Sequence, residues 1–169
     1  MAARRGSLGP LRRQPSDLPG GGERDHAGLV GHVVGHLDGI EVGVIGLITE
    51  TAPTLFSPTG NEGLTFLDPA DRLSELVPML RAKTDVLILL SHIGHEAELL
   101  LAEQFQDLDL IIGGHSHTLV QHPVRVGKTL VAQANHYGSH LGLIKIKVSD
   151  KGQSPLDIQG DLIAANELP

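Results

Sequence analysis

Residues 85–95 read DVLILLSHIGH. An unbroken run of five apolar residues follows Asp85, and a run this short without alternation predicts a strand over residues 85–90 that is buried on both faces. His92 comes directly after this strand. Because active sites in α/β sheets gather where the strands end, the stretch predicts both a core strand and a candidate functional residue at its end.

Apolar runs recur on both sides of this stretch and alternate with segments of helical period. Further strands are predicted over residues 40–48, 108–112, 129–134 and 141–148. Gly43 and Gly46 inside the first of these indicate that another group approaches the strand closely. In the last, Lys145 and Lys147 alternate with apolar residues, which is typical of an edge or outer-layer strand. The alternation as a whole indicates an α/β fold around a mixed or parallel sheet.

Two helices are predicted between these strands. Asp68 and Pro69 suit the cap and the first position of a helix whose apolar residues follow at i, i+3, i+4 and i+7, and Pro78 is expected to kink it. The second helix carries apolar residues at 97, 101, 105 and 108, which leaves Glu98, Glu103 and Gln106 for solvent. Residues 49–67, between the first strand and the first helix, are predicted to be a loop.

The composition excludes several classes of function. The 169 residues carry a net charge of −7 and only three Phe and one Tyr, which argues against binding to a nucleic-acid polymer. No window has the roughly 18 to 20 apolar residues of a membrane span, and the start lacks the apolar core of a signal peptide. The absence of cysteine excludes disulfides and thiolate metal sites, whereas the ten histidines favour metal binding or proton transfer.

Residues 1–28 differ in character from the remainder. They contain Pro10, Pro15, Pro19 and the glycine run 20–22, with almost no apolar periodicity. This composition is typical of a disordered or linker-like segment.

The candidate functional residues follow two predicted strands. His92 follows residues 85–90, and His115 and His117 follow residues 108–112 through Gly113 and Gly114, which would let the chain turn sharply. Residues two apart in an extended segment point to the same side, so these imidazoles are predicted to reach one metal cluster. The alternative is that each is an ordinary hydrogen-bonded or exposed histidine.

These motifs resemble a known family. SHIGH at 91–95 and GGHSHT at 113–118, with GVIGLIT at 43–49, the Leu-Arg before the central strand and QANHYGSHLG at 133–142, look like the calcineurin-like metallophosphoesterases. The order and surroundings are most similar to the 5′-nucleotidase and 2′,3′-cyclic-nucleotide phosphodiesterase branch, over roughly residues 38–166. The resemblance implies a layered α/β metallophosphoesterase sheet with flanking helices.

The resemblance also implies a chemistry. Two divalent ions, with Mn, Zn, Fe or Co suiting the histidine and carboxylate ligands, would activate water for attack on a nucleotide or other phosphate ester. His92 and His115 would bind one ion and His117 the other. His95, Asn135 and His136 would contact the substrate or support the ligands. Relatives of this type are often periplasmic or extracellular, but the sequence predicts no localisation.

The sequence departs from the family in its N-terminal motifs. The family's D-x-H, GD and GNH motifs supply the remaining ligands and the general acid, and none of them precedes Ser91. We therefore predict no catalytic acid, a linker-like segment 1–28, and a partial catalytic domain over 29–169 that corresponds to the C-terminal half. Two hypotheses remain: a metal-dependent phosphate ester hydrolase of nucleotide catabolism, or a non-catalytic fragment that binds metal weakly or needs a partner supplying the missing half.

Overall fold

The computed structural model describes residues 32–55, 66–148 and 157–168. The linker-like segment predicted at 1–28 lies outside them. Among these residues the elements are, in chain order, β1 (His32–Leu37), β2 (Ile40–Ile48), a 3₁₀ turn (Ala52–Thr54), α1 (Pro69–Arg81), β3 (Val86–His92), α2 (His95–Gln104), β4 (Leu110–Ile112), β5 (Val124–Val126), β6 (Thr129–Ala132), β7 (His140–Lys147), β8 (Asp157–Ala164) and a second 3₁₀ turn (Ala165–Glu167). Neither described helix is long and apolar enough to cross a membrane.

Six strands form one mixed sheet in the order β1-β2-β3-β4-β6-β5. The four central strands β2, β3, β4 and β6 run parallel, and β1 and β5 close the edges in antiparallel pairing. Within the described parts of the chain, β7 and β8 form a separate two-stranded antiparallel sheet. The α/β prediction is therefore confirmed, and the parallel order places the C-terminal ends of β2, β3 and β4 beside one another.

One face of the sheet is covered by the helices. The buried cluster there joins side chains of β2, β3, β4 and β6 to those of the helices, among them Ile45, Leu87, Leu89, Ile111, Leu73 and Leu101. The helix α1 begins as predicted: Asp68 is its N-cap, the Asp68 side chain accepts a hydrogen bond from Ala70 N at 2.8 Å, and Pro69 is the first residue. Pro78 lies inside α1, which continues to Arg81, and the expected kink stays a prediction.

The opposite face is covered only in part. Ile144 and Ile146 of the hairpin pack on Leu110 and Leu130, which confirms β7 as an outer-layer strand with an apolar and a polar face. Leu90 and Ile112 are register partners on this face and are 53% and 36% exposed. The prediction that the central strand is buried on both faces is therefore wrong at Leu90, because among the described residues the apolar cluster under the hairpin includes Ile88 of this strand but not Leu90.

Several boundaries differ from the predicted ones. The central strand continues to His92, two residues further than predicted, because β2 pairs with it as far as Ile48. The helix α2 ends at Gln104, so Phe105 and Leu108 are buried beyond its end. Gly43 is needed for close approach, as predicted: a Cβ there would lie 2.9 Å from both the Leu87 and the Thr84 side chains.

Candidate metal site

The structure brings two of the predicted histidines into contact. His92 is the last residue of β3, and His115 lies three residues beyond the end of the neighbouring parallel strand β4. Their imidazole rings meet edge to face, with centroids 5.2 Å apart and an angle of 66° between the planes. Neutral imidazoles at the shared edge of a sheet are suitable ligands for a divalent ion.

His117 belongs to a second group of rings. Its imidazole stacks on that of His136 with centroids 5.1 Å apart, and Tyr137 packs against both rings. Asn135 Oδ1 is 2.6 Å from His136 Nδ1, which fixes the His136 ring. The structure thus places Asn135 and His136 beside His117.

The backbone explains why the histidines separate. His115 has φ = 75° and His117 has φ = 55°, so neither is extended, and the extended segment on which the prediction of a shared side was based is not present. Asn135 and Tyr137 also have positive φ. Left-handed backbone costs energy at residues other than glycine, and such strain concentrates at functional sites. Among the described residues other than glycine, only Asp38, in the β1–β2 turn, has a positive φ outside the loops of His115 to His117 and Asn135 to Tyr137.

The described residues do not complete a metal centre. Among them, no three His, Cys, Asp or Glu side chains come close enough together to hold one ion. The His92 and His115 pair fits as part of a ligand set, and further ligands are required from elsewhere. His32 and His36 both lie in β1, away from this pair, and His36 Nδ1 is 2.7 Å from Glu41 Oε1.

Gly113 and Gly114 serve close packing, and neither has a positive φ. The chain does turn sharply directly after them, where Ser116 N donates a hydrogen bond to Gly114 O at 2.9 Å across His115. A Cβ at Gly113 would lie 2.0 Å from Glu98 Oε2, and one at Gly114 would lie 3.0 Å from His92 Nδ1. The two glycines therefore let the loop lie directly on helix α2 and on the His92 ring.

A polar network, which the sequence did not reveal, fixes the same loop. Ser116 Oγ accepts a hydrogen bond from His95 N at 3.0 Å, at the first turn of α2, and donates to Gln133 Oε1 at 3.1 Å. Gln133 is 3% exposed, and its Oε1 also accepts from Thr118 N at 3.0 Å. His95 is the first residue of α2, and its backbone N–H contributes to holding the loop.

The helical pattern predicted that Glu98 faces solvent, and this prediction is wrong. Glu98 is fully buried under the loop, and its Oε1 accepts a hydrogen bond from Gly114 N at 3.2 Å. Desolvation raises the pKa of this carboxyl above 4.5, although the Ser91 hydroxyl and the backbone at Gly114 and Gly94 act in the opposite direction. The apolar periodicity of α2 does not predict this burial, because the residues that pack on Glu98, Gly113 and Gly114, are distant from it in sequence.

The raised pKa predicts how a neutral variant behaves with pH. Because the folded state binds the Glu98 proton more tightly than the unfolded state does, this group's contribution to stability is greatest below about pH 4 and declines as pH rises through the folded-state pKa. Glu98→Gln is therefore expected to unfold at a higher temperature than the parent at pH 7, with a smaller difference at pH 4. Thermal unfolding monitored by circular dichroism at both pH values measures this; a difference that grows on acidification contradicts it.

Comparisons with known proteins give consistent results. No protein-family model matches the chain. The trifunctional nucleotide phosphoesterase protein YfkN of Bacillus subtilis is 38% identical over 136 residues, which cover 78% of this chain and 9% of that protein. A 5′-nucleotidase of Diplobatis ommata is 31% identical over 155 residues, covering 78% of this chain and 26% of its own length.

Solved structures agree. The sulfate thiohydrolase SoxB of Thermus thermophilus superposes with a TM-score of 0.70 at 29% identity, covering 82% of this chain and 26% of that chain. This chain therefore spans about a quarter or less of the length of these relatives.

Proposed function

The chain belongs to the calcineurin-like metallophosphoesterases of the 5′-nucleotidase family, where it corresponds to a C-terminal part, and we propose that it supplies the histidine-bearing part of a site that hydrolyses phosphate esters of nucleotides. The observation that carries this proposal is the contact between His92 and His115, which come from separate motifs at the adjoining ends of β3 and β4.

The family implies divalent metal ions. We propose that His92 and His115 contribute to binding one ion and His117 to a second, with Mn, Zn, Fe or Co suiting these ligands. Bound ions of this kind supply an activated water and neutralise charge on the phosphate oxygens. Because the described residues do not complete a metal centre, we also propose that carboxylate or amide ligands come from outside them.

The chain's own residues would position these ligands. The left-handed backbone at His115 and His117 directs the two rings to different neighbours, so that each can serve a different ion. His136 and Asn135, held beside His117, are proposed to support its ring or to contact the substrate, and His95 helps to hold the loop through its backbone N–H.

We also propose a division of the chain into a linker-like segment over residues 1–28 and a partial catalytic domain over residues 29–169. Matches of the relatives that cover 76% to 78% of the chain support a division of this size.

A second candidate function is a non-catalytic fragment that binds metal weakly or acts only with a partner that supplies the missing half. It is favoured by the lack of a complete ligand group among the described residues and by Leu90 and Ile112, which leave apolar surface open beside His92.

A hybrid protein tests the proposal. The stretch of the Bacillus subtilis phosphoesterase that matches this chain is replaced by this chain's residues, and release of phosphate from AMP is measured with Mn²⁺ present. We expect activity clearly above that of the same protein with the stretch deleted. Activity equal to that of the deletion variant would contradict the proposal.

The full chain assayed alone separates the two candidates. Hydrolysis of AMP by the full chain without a partner would exclude the fragment hypothesis. An active hybrid together with an inactive full chain would mean that the histidines work only when the other ligands are supplied.

A further inference from the structure

The carboxyl group of Glu98 lies at the junction of the two histidine motifs. Its Oε1 accepts the hydrogen bond from Gly114 N, one residue before His115, and it is fully buried. The backbone of Gly113 lies so close to Oε2 that no side chain fits between them, because a Cβ there would be 2.0 Å away. A single side chain on α2 thus fixes the position of the loop that carries His115.

The surroundings of Glu98 are costly for stability. Its Oε2 and His95 Nδ1 are both buried and lie 4.0 Å apart. Removing a carboxyl group from water destabilises a fold, and an apolar side chain would avoid that cost but would leave Gly114 N–H without its acceptor. The acid at this position therefore serves the contact with the loop rather than the packing of the core.

The same contact reaches His92. The Cβ position of Gly114 is 3.0 Å from His92 Nδ1 and 3.4 Å from Ser91 O, so the Gly114 backbone lies against both the ring and the end of β3. A loop released from Glu98 would move relative to His92, and His115 would move with it.

We propose that Glu98 is a positioning residue, whose carboxyl oxygen holds the Gly113–Gly114 backbone on α2 and thereby keeps His115 beside His92. The proposal rests on the proposed function, since it takes this histidine pair as metal ligands. The geometry that Glu98 maintains does not itself require an ion.

Amide hydrogen exchange in the metal-free full chain tests the proposal directly. The reporter is Gly114 N–H, and the reference is Leu87 N–H, a core amide that donates to Asp109 Oδ2 at 2.7 Å. The variants are Glu98→Ala and Glu98→Leu, which lack the acceptor, and Glu98→Gln, which keeps it. Glu103→Ala, at an exposed position of the same helix, is the matched control.

We expect Glu98→Ala and Glu98→Leu to accelerate exchange at Gly114 by at least about tenfold more than at Leu87, since the opening is local. Glu98→Gln and Glu103→Ala should leave the Gly114 rate within about threefold of the parent. In parallel, Zn²⁺ affinity measured by calorimetry should fall about tenfold in Glu98→Leu and be retained in Glu98→Gln.

Three results would overturn the proposal: unchanged exchange at Gly114 in Glu98→Leu, equal acceleration at Gly114 and Leu87, or an effect of Glu98→Gln as large as that of Glu98→Leu. The second would mean that Glu98 contributes only to global stability. Failure of the proposed function would appear separately, as a parent chain that binds no Zn²⁺ while its Gly114 exchange still depends on Glu98.

Discussion

Changing His115 to asparagine is expected to lower kcat/KM of the hybrid phosphoesterase for AMP by at least about 100-fold, because the change removes one of the two imidazoles that meet at the ends of β3 and β4. Asparagine is chosen because His115 has φ = 75°, a conformation that asparagine tolerates better than alanine does. The loss of kcat/KM is then attributable to the missing imidazole ring of His115. Phosphate release at several Mn²⁺ concentrations measures it.

His122→Ala is the control for this prediction. His122 is exposed in the loop before β5 and takes part in neither ring contact. Its replacement should leave kcat/KM within about twofold of the parent hybrid, as expected of a surface substitution. If His122→Ala and His115→Asn were equally active, His115 would have no role in hydrolysis.

Asp109→Ala is expected to destabilise the full chain by about 3 kcal/mol or more. Asp109 is 6% exposed, and its Oδ2 accepts hydrogen bonds from Arg81 Nη1 at 2.6 Å and from Leu87 N at 2.7 Å. The substitution leaves a half-buried guanidinium without its carboxylate and a core amide without its acceptor. Urea unfolding followed by circular dichroism gives the difference in the free energy of unfolding.

Asp107→Ala is the matched control in the same turn. Its ion pair with Lys128 spans 3.3 Å, and both side chains are more than half exposed, so its loss should cost less than about 1 kcal/mol. Equal destabilisation by the two alanine variants would show that the buried contacts of Asp109 contribute no more than a surface ion pair does.

The parts of the fold that the sequence predicted correctly are those where one local pattern determines the element. The apolar run of β2, interrupted only by Glu41, predicted its bounds, Ile40–Ile48, and the Asp68–Pro69 pair predicted the start of α1. β1, β5 and β8 were missed. β5 has three residues, β1 has mostly exposed side chains, and β8 mixes exposed and half-buried side chains without a regular apolar alternation, so neither length nor apolar period distinguishes them from loops.

The candidate site was predictable in its location but not in its geometry. Histidines after two apolar runs were enough to place His92 and His115 at one edge of the sheet, because the order of parallel strands brings those ends together. The left-handed backbone of His115 and His117 could not be predicted from their residue type, since glycine normally occupies such positions and histidine does not indicate them. Glu98 is buried because a loop 15 residues further along the chain packs on it, and the apolar period of a helix does not predict a contact with a distant loop.

The most direct test of the account is a Zn²⁺ titration of the full chain, because it examines the histidine pair without depending on hydrolysis. We expect His92→Ala and His115→Asn each to lower the affinity of the parent by at least about tenfold, and His122→Ala to leave it unchanged. A parent chain that binds no Zn²⁺, or equal affinities in the parent and all three variants, would contradict the claim that His92 and His115 form part of a metal site.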